Sequence, residues 1–289
     1  MHILKGYTKQ EISWMMYDWA KSAHSVIIVT LLPIFFDTVA GYTADSVSSM
    51  STWGYATSIA MLIVALAAPF LGVFGDIRGM RKKLFSFFML LGVAACAGMA
   101  FTPGMDFTSG PVAAGKVATL ILVLYIVSVI GFDASAIYYD AFLTDVTIED
   151  RMDKVSTMGY GLGYIGGSTI PLLIFLIMNL VGVPMLTCLA FVFGLTAVWW
   201  LAFSLPLLKN CEQTSGKPYE KGDVARSIKG VGTTIKEIIA NKPMLIYILS
   251  YFFYIDGVHT VISMATTYGT NLGLDSTGMV LALLLVQIL

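Results

Sequence analysis

The stretch 52–83, TWGYATSIAMLIVALAAPFLGVFGDIRGMRKK, decides the fold class. Residues 52–74 carry no charged side chain, and Arg78, Arg81, Lys82 and Lys83 come directly after them. A bilayer core about 30 Å thick takes roughly 20 helical residues to cross, so this run is long enough to span it. The basic cluster behind it is the mark of a loop on the cytoplasmic side.

The same pattern repeats along the 289 residues, of which 57% are hydrophobic and 12% charged. A soluble domain carries about 25% charged residues, so lipid is the main solvent here. Spans are predicted at residues 12–36, 52–74, 84–101, 117–142, 158–181, 185–208 and 244–266, with an eighth opening near Thr277. The runs are continuous rather than alternating, which selects helices over a β-barrel. With the N-terminus inside, inner loops hold fifteen Lys and Arg residues and outer loops only Lys116. That bias supports both the orientation and the number of spans.

The expected organisation is a six-helix transmembrane bundle over 1–208, a cytoplasmic linker over 209–242, and the start of a second bundle over 243–289. Within the linker Val224, Ile228, Val231, Ile235 and Ile238 recur at helical spacing, predicting an amphipathic helix. From Thr277 to Leu289 a helix rises only about 20 Å, so the sequence is read as C-terminally truncated within its eighth helix. The retained first span is no signal peptide, for no small-residue cleavage site comes after it. Trp14, Trp53, Trp199 and Trp200 fall near predicted span ends, where interfacial anchoring is the default expectation. Cys96, Cys188 and Cys211 have no metal or disulfide spacing and are read as small fillers.

Gly72, Asp76, Gly79 and Arg81 match the Gly-x-x-x-Asp-x-x-Gly-x-Arg signature between helices two and three, and the chain thereby resembles the major facilitator superfamily. Three further segments, Tyr17-Asp18-Trp19-Ala20-Lys21-Ser22-Ala23, Tyr139-Asp140-Ala141-Phe142-Leu143 and Gly163-Tyr164-Ile165-Gly166-Gly167, are similar to its UMF1 branch. So is Tyr254-Ile255-Asp256-Gly257-Val258. That branch includes vacuolar amino-acid effluxers related to autophagy protein twenty-two. The resemblance implies an all-α bundle with an N-terminal six-helix half and the first one or two helices of the second half. It also implies a signature loop that latches the halves on the cytoplasmic side, and a central cavity lined by helices one, four, seven and ten. Lys21 and Asp140 stand where the family usually has Asn, and span four lacks the arginine many proton-coupled facilitators carry there.

Ionisable groups within spans are costly and mark pathways. Asp18, Lys21 and His24 in span one, Asp133 and Asp140 in span four, and Asp256 and His259 in span seven are the candidates for a substrate or ion pathway. Lys21 is expected to pair with Asp133 or Asp256 in one state, with solute or a proton competing in another. Gly159, Gly163 and Gly167, spaced by four, are read first as a close-packing face. The function expected is secondary active transport of a small solute, amino acids being what the resemblance implies, across the cell membrane with a coupling ion. A monomer is expected when full length. The alternatives are a sensor or scaffold on the transporter fold, or an intramembrane enzyme; separate histidines and unclustered ligands disfavour the latter. No Walker loop, cofactor site, metal site or nucleic-acid surface is expected.

Overall fold

The structure is a computed structural model that describes residues 4–43, 46–216, 218 and 223–288. Among these it is helical with no strand. The spans are α1 (Lys9–Ala40), α2 (Ser46–Gly75), α3 (Arg81–Met99), α4 (Pro111–Val146), α5 and α6 (Glu149–Leu162 and Thr169–Leu180), α7 (Met185–Asn210) and α9 (Lys242–Asn271). Helix α8 (Asp223–Ala240) lies between α7 and α9, and α10 (Ser276–Ile288) comes last. Seven stretches are thus long and apolar enough to cross a membrane, at the places predicted.

Most helices outrun the predicted apolar core because polar ends continue them. At the start of α1 the Thr8 hydroxyl accepts from the Glu11 amide, while the Glu11 carboxylate accepts from the Thr8 amide at 2.7 Å. This reciprocal cap satisfies donors that the first turn leaves without partners. Glu11 also receives Arg151 through two bonds of 2.9 Å, and Thr147 at 2.7 Å, tying the α4–α5 connection to α1.

Helix α1 is the axle: 78% of its most apolar window is buried, against none for α9. It packs on α4, α5, α7 and α9, while α3 and α4 form the closest neighbouring pair. The core divides into two apolar layers. One gathers Val26–Ala40 of α1 with Ala114–Val129 of α4 and the first half of α7. The other gathers Trp14–Ala20 with Phe85, Tyr138–Val146 and Trp200. Residues 21–25 of α1 and 131–137 of α4 fall at the seam between them.

Glycines set the closest approaches. A Cβ on Gly131 of α4 would sit 2.5 Å from the Gly92 nitrogen, so α3 and α4 meet backbone to backbone. A Cβ on Gly92 would meet the Trp200 ring at 2.4 Å. The Gly159/Gly163/Gly167 face packs on α1, as the four-residue spacing predicts: their Cβ positions lie 2.8 Å from Asp18 Oδ2, 2.6 Å from Ser22 Oγ and 2.4 Å from the Trp19 carbonyl. Between α5 and α6 the span is a six-residue π-helical segment, Gly163–Ser168, in which Gly166 lies against the Trp19 ring.

The tryptophan expectation is corrected. Trp14, Trp53 and Trp200 are core residues with at most 2% exposure, and Trp199 is the half-buried one. Trp14 stacks on Tyr139 at 4.3 Å, and Trp53 meets Tyr125 in a tilted contact at 4.4 Å. Their apparent position at span ends arises because the helices extend past the apolar windows. All three cysteines are free and buried. In α8, Ile235 is 51% exposed, and the side chains of Val224 and Ile228 lie outside the described residues.

Candidate functional site

Where the second layer meets the seam, α1 presents Asp18 and Lys21 one turn apart, and they pair at 3.1 Å. Asp18 is buried and Lys21 half-buried. Tyr139 of α4 completes the unit: its hydroxyl donates to Asp18 Oδ2 at 2.7 Å, and the Lys21 ammonium lies 4.4 Å from its ring centroid. A cation over an aromatic face is attracted by the ring quadrupole. Tyr139 is itself fixed by the stacked Trp14, whose indole N–H donates to the Tyr139 carbonyl at 2.9 Å. Tyr17 adds a layer beneath, sharing a hydrogen bond of 2.7 Å with Ser135.

Lys21 therefore pairs with Asp18 in this state rather than with Asp133 or Asp256. The reason is local: residues three apart share a helix face. Asp133 and Asp140, two turns apart on α4, both interact electrostatically with Lys21. Asp133 is half-buried and Asp140 exposed, and neither accepts a hydrogen bond or makes an ion pair among the described residues.

The other candidates lie apart. His24 is buried with neither ring nitrogen hydrogen-bonded, stacked against Phe132 at 5.1 Å and near Trp200 at 4.8 Å. Asp256 and His259 are exposed on α9, which packs on α1 and α2, and among the described residues no ion pair joins them to Lys21. A cleft of about 370 Å³ opens between α2 and α9 further along, its surface mostly apolar but carrying the hydroxyls of Ser51, Thr57, Ser58, Thr260 and Ser263 beside Met264.

The signature loop forms a second constellation. Gly79 has φ +81°, the left-handed geometry that lets α2 turn into α3. Gly72 has open space around its Cβ position, whereas Gly75 makes a close helix contact, its Cβ position lying 2.9 Å from the Tyr138 ring. Arg81 is 5% exposed and donates to Asp145 of α4 and to the Ala141 carbonyl at 3.0 Å. Asp76 is 83% exposed and reaches Arg81 only at 3.9 Å.

Asp145 and the chain after α7 were missed in the sequence. Asp145 Oδ1 accepts from the backbone and hydroxyl of both Thr214 and Ser215, at 2.8 to 3.0 Å. The Gln213 side chain works as a detached peptide unit. Its oxygen accepts from the Gly79 and Arg81 amides at 2.8 and 3.3 Å, and its nitrogen donates to the Gly75 carbonyl at 3.0 Å. It thus serves the end of α2 and the start of α3 together, both of which have backbone groups in need of partners. Asp145 closes a span, where charge is common, and nothing in the linker's composition marks Gln213 as structural.

The comparisons agree with this architecture. The "Vacuole effluxer Atg22 like" family model matches residues 42–150 and 144–289. The "Uncharacterized MFS-type transporter YxiO" of Bacillus subtilis is 39% identical over 99% of this chain, and 66% of its own length is covered. An "Autophagy-related protein 22-1" of Penicillium rubens is 26% identical over 43% of this chain and 23% of its length. A solved D-xylose-proton symporter superposes with a TM-score of 0.59 at 15% identity, over 97% of this chain and 65% of that one. The likeness to the symporter is one of fold alone, a bundle of membrane-length helices. The chain spans about two-thirds of the length of YxiO and of the symporter. With the family model covering residues 42–289, this multi-pass membrane protein belongs to the Atg22-like vacuole effluxer family.

Proposed function

We propose that this chain is the larger part of a secondary active transporter that moves a small solute across the cell membrane by alternating access, with amino acids as the first substrates to test. The observation that carries the reading is the Asp18–Lys21–Tyr139 unit at the edge of the second apolar layer, with the carboxylates of Asp133 and Asp140 in electrostatic reach of Lys21. An amino acid carries both signs of charge. Its carboxylate matches Lys21 and its ammonium matches Asp133 or Asp140, so binding would exchange protein–protein pairs for protein–solute ones. Asp256 and His259 on α9 are the second half's contribution, and His24 supports the wall behind. A proton or other cation can take the ammonium's place on the carboxylates, which gives a route to coupling. The Gly72–Arg81 turn is read as the gate on the cytoplasmic side, with the N-terminus on that side too and the full-length monomer as the working unit. The family's description as effluxers, and the printed description of YxiO as a transporter, support the same class of activity and disfavour an enzyme.

The test uses the full-length protein in proteoliposomes loaded with radiolabelled amino acids, under imposed pH gradients. Lys21→Met is expected to abolish flux or remove its pH dependence. Wild-type flux with an unchanged pH profile in that variant rejects Lys21 as part of the pathway.

A further inference from the structure

The segment that leaves α7 toward the second bundle does not simply depart; it crosses the α2–α3 turn and is bonded both to that turn and to the end of α4. Gln213 joins the Gly75 carbonyl to the Gly79 and Arg81 amides. Thr214 and Ser215 fill one oxygen of Asp145 while Arg81 holds the other. Arg81 also donates to Ser215 Oγ at 3.1 Å. Gly216, at φ +109°, lies flat on the turn: a Cβ there would come within 2.7 Å of the Asp76 carbonyl. Just before the strap, Cys211 is fully buried, its thiol directed at the Gln10 carbonyl of α1 at 3.6 Å.

We infer that Gln213–Gly216 is a strap that positions Arg81, so that the signature turn and the linker between the two bundles release and reseat as one unit. The inference rests on reading that turn as the gate. The physical ground is shared partners: Arg81 at the start of α3 bonds both α4 and the strap, and Asp145 of α4 bonds both Arg81 and the strap, so loss of the strap leaves Asp145 Oδ1 and part of the Arg81 guanidinium without hydrogen-bond partners. Movement of the second bundle would then reach the gate through the linker's own backbone. Asp76 takes almost no part in this network, which leaves its carboxylate free for a contact elsewhere.

Cys211 is a built-in reporter, since lifting the strap uncovers it. The full-length protein in nanodiscs is treated with a soluble maleimide, and labelling at Cys211 is read by site-resolved mass spectrometry, which separates it from Cys96 and Cys188. Gln213→Leu and Arg81→Gln should each raise the Cys211 rate about tenfold, the size expected for losing hydrogen bonds to charged or buried groups. The double variant should rise no further than the larger single one, because both remove the same unit. Gly216→Ala, which alters no polar group, should also give about tenfold, and Thr214→Ser, which keeps the hydroxyl, should stay at the wild-type rate. Multiplying effects in the double variant, or wild-type labelling in both Gln213→Leu and Gly216→Ala, overturns the inference. Amino-acid flux through the same variants separates this from the gate reading. Normal flux in Arg81→Gln removes the gate even where non-additive labelling retains the strap.

Discussion

Replacing Gly131 by alanine tests whether the α3–α4 contact is as close as the backbone geometry requires. The added methyl would sit 2.5 Å from the Gly92 nitrogen, 2.6 Å from its Cα and 2.7 Å from the Phe88 carbonyl oxygen. All three obstacles are backbone, so no rotamer change relieves them and the helices must separate. Overpacking typically costs about 1–3 kcal/mol, and a rigid obstacle belongs at the upper end, near 3 kcal/mol. Alanine's better helix propensity returns under about 1 kcal/mol. At roughly 2–4 °C per kcal/mol, the net loss corresponds to a midpoint about 4–8 °C lower. Gly72→Ala in α2 is the internal control: nothing lies within 4 Å of its Cβ position, so only the propensity gain applies. The assay is thermal unfolding of the full-length detergent-solubilised protein, tracked by the surviving monodisperse fraction. Equal midpoints for the two variants would refute the claimed approach of α3 to α4. Gly131 lies two residues before Asp133, so a separation here also moves the carboxylate relative to Lys21, and flux should fall in step with stability.

Tyr139→Phe removes the donor to Asp18 Oδ2 while keeping the ring under Lys21, and should lower stability by about 1–3 kcal/mol in the same assay. Glu11→Gln breaks the two-bond pairing with Arg151 and should cost about 1.5–3 kcal/mol. The swapped pair Glu11→Arg with Arg151→Glu should recover part of that loss, and an identical midpoint for the single and swapped variants would discount the pairing. Burial pushes the Cys211 thiol up to about 12. At pH 8 its thiolate fraction is then roughly a thousandfold below that of an ordinary thiol, and maleimide labelling should be slower by about that factor. A rate matching free cysteine would show that Cys211 is not enclosed.

The spans were legible because lipid imposes one strong rule: a continuous apolar run of fixed length must close its own hydrogen bonds. The local pairing was less so. Lys21 and Asp18 are three apart, a spacing visible in sequence, yet long-range partners on α4 and α9 looked equally available until the fold brought Tyr139 to Asp18. Gly92 and Gly131 belong to no spaced pattern, because a crossing of two helices needs only one small residue from each. The strap was unreadable for a different reason: Gln213 and Asp145 matter through partners that return to them from more than sixty positions away. Trp53 and Trp200 illustrate the converse error, in which a residue type typical of interfaces is consumed by the core.

The widened turn at Gly163–Ser168 has a bearing on how this span is to be aligned and altered. A π segment holds one more residue than the α-helix it interrupts, equivalent to a rotation of about 100° between the helical turns on its two sides. The stretch before it and the stretch after it are therefore out of phase, and a helical wheel drawn through both rotates one of them by about 100° from its true orientation. Removing a single residue here would let the ladder close in ordinary α form. It would also swing the Tyr160 side of α5 against α6 by about a quarter turn and take Gly166 off the Trp19 ring. A one-residue gap at this point in an alignment is thus a change of shape rather than a loss of length.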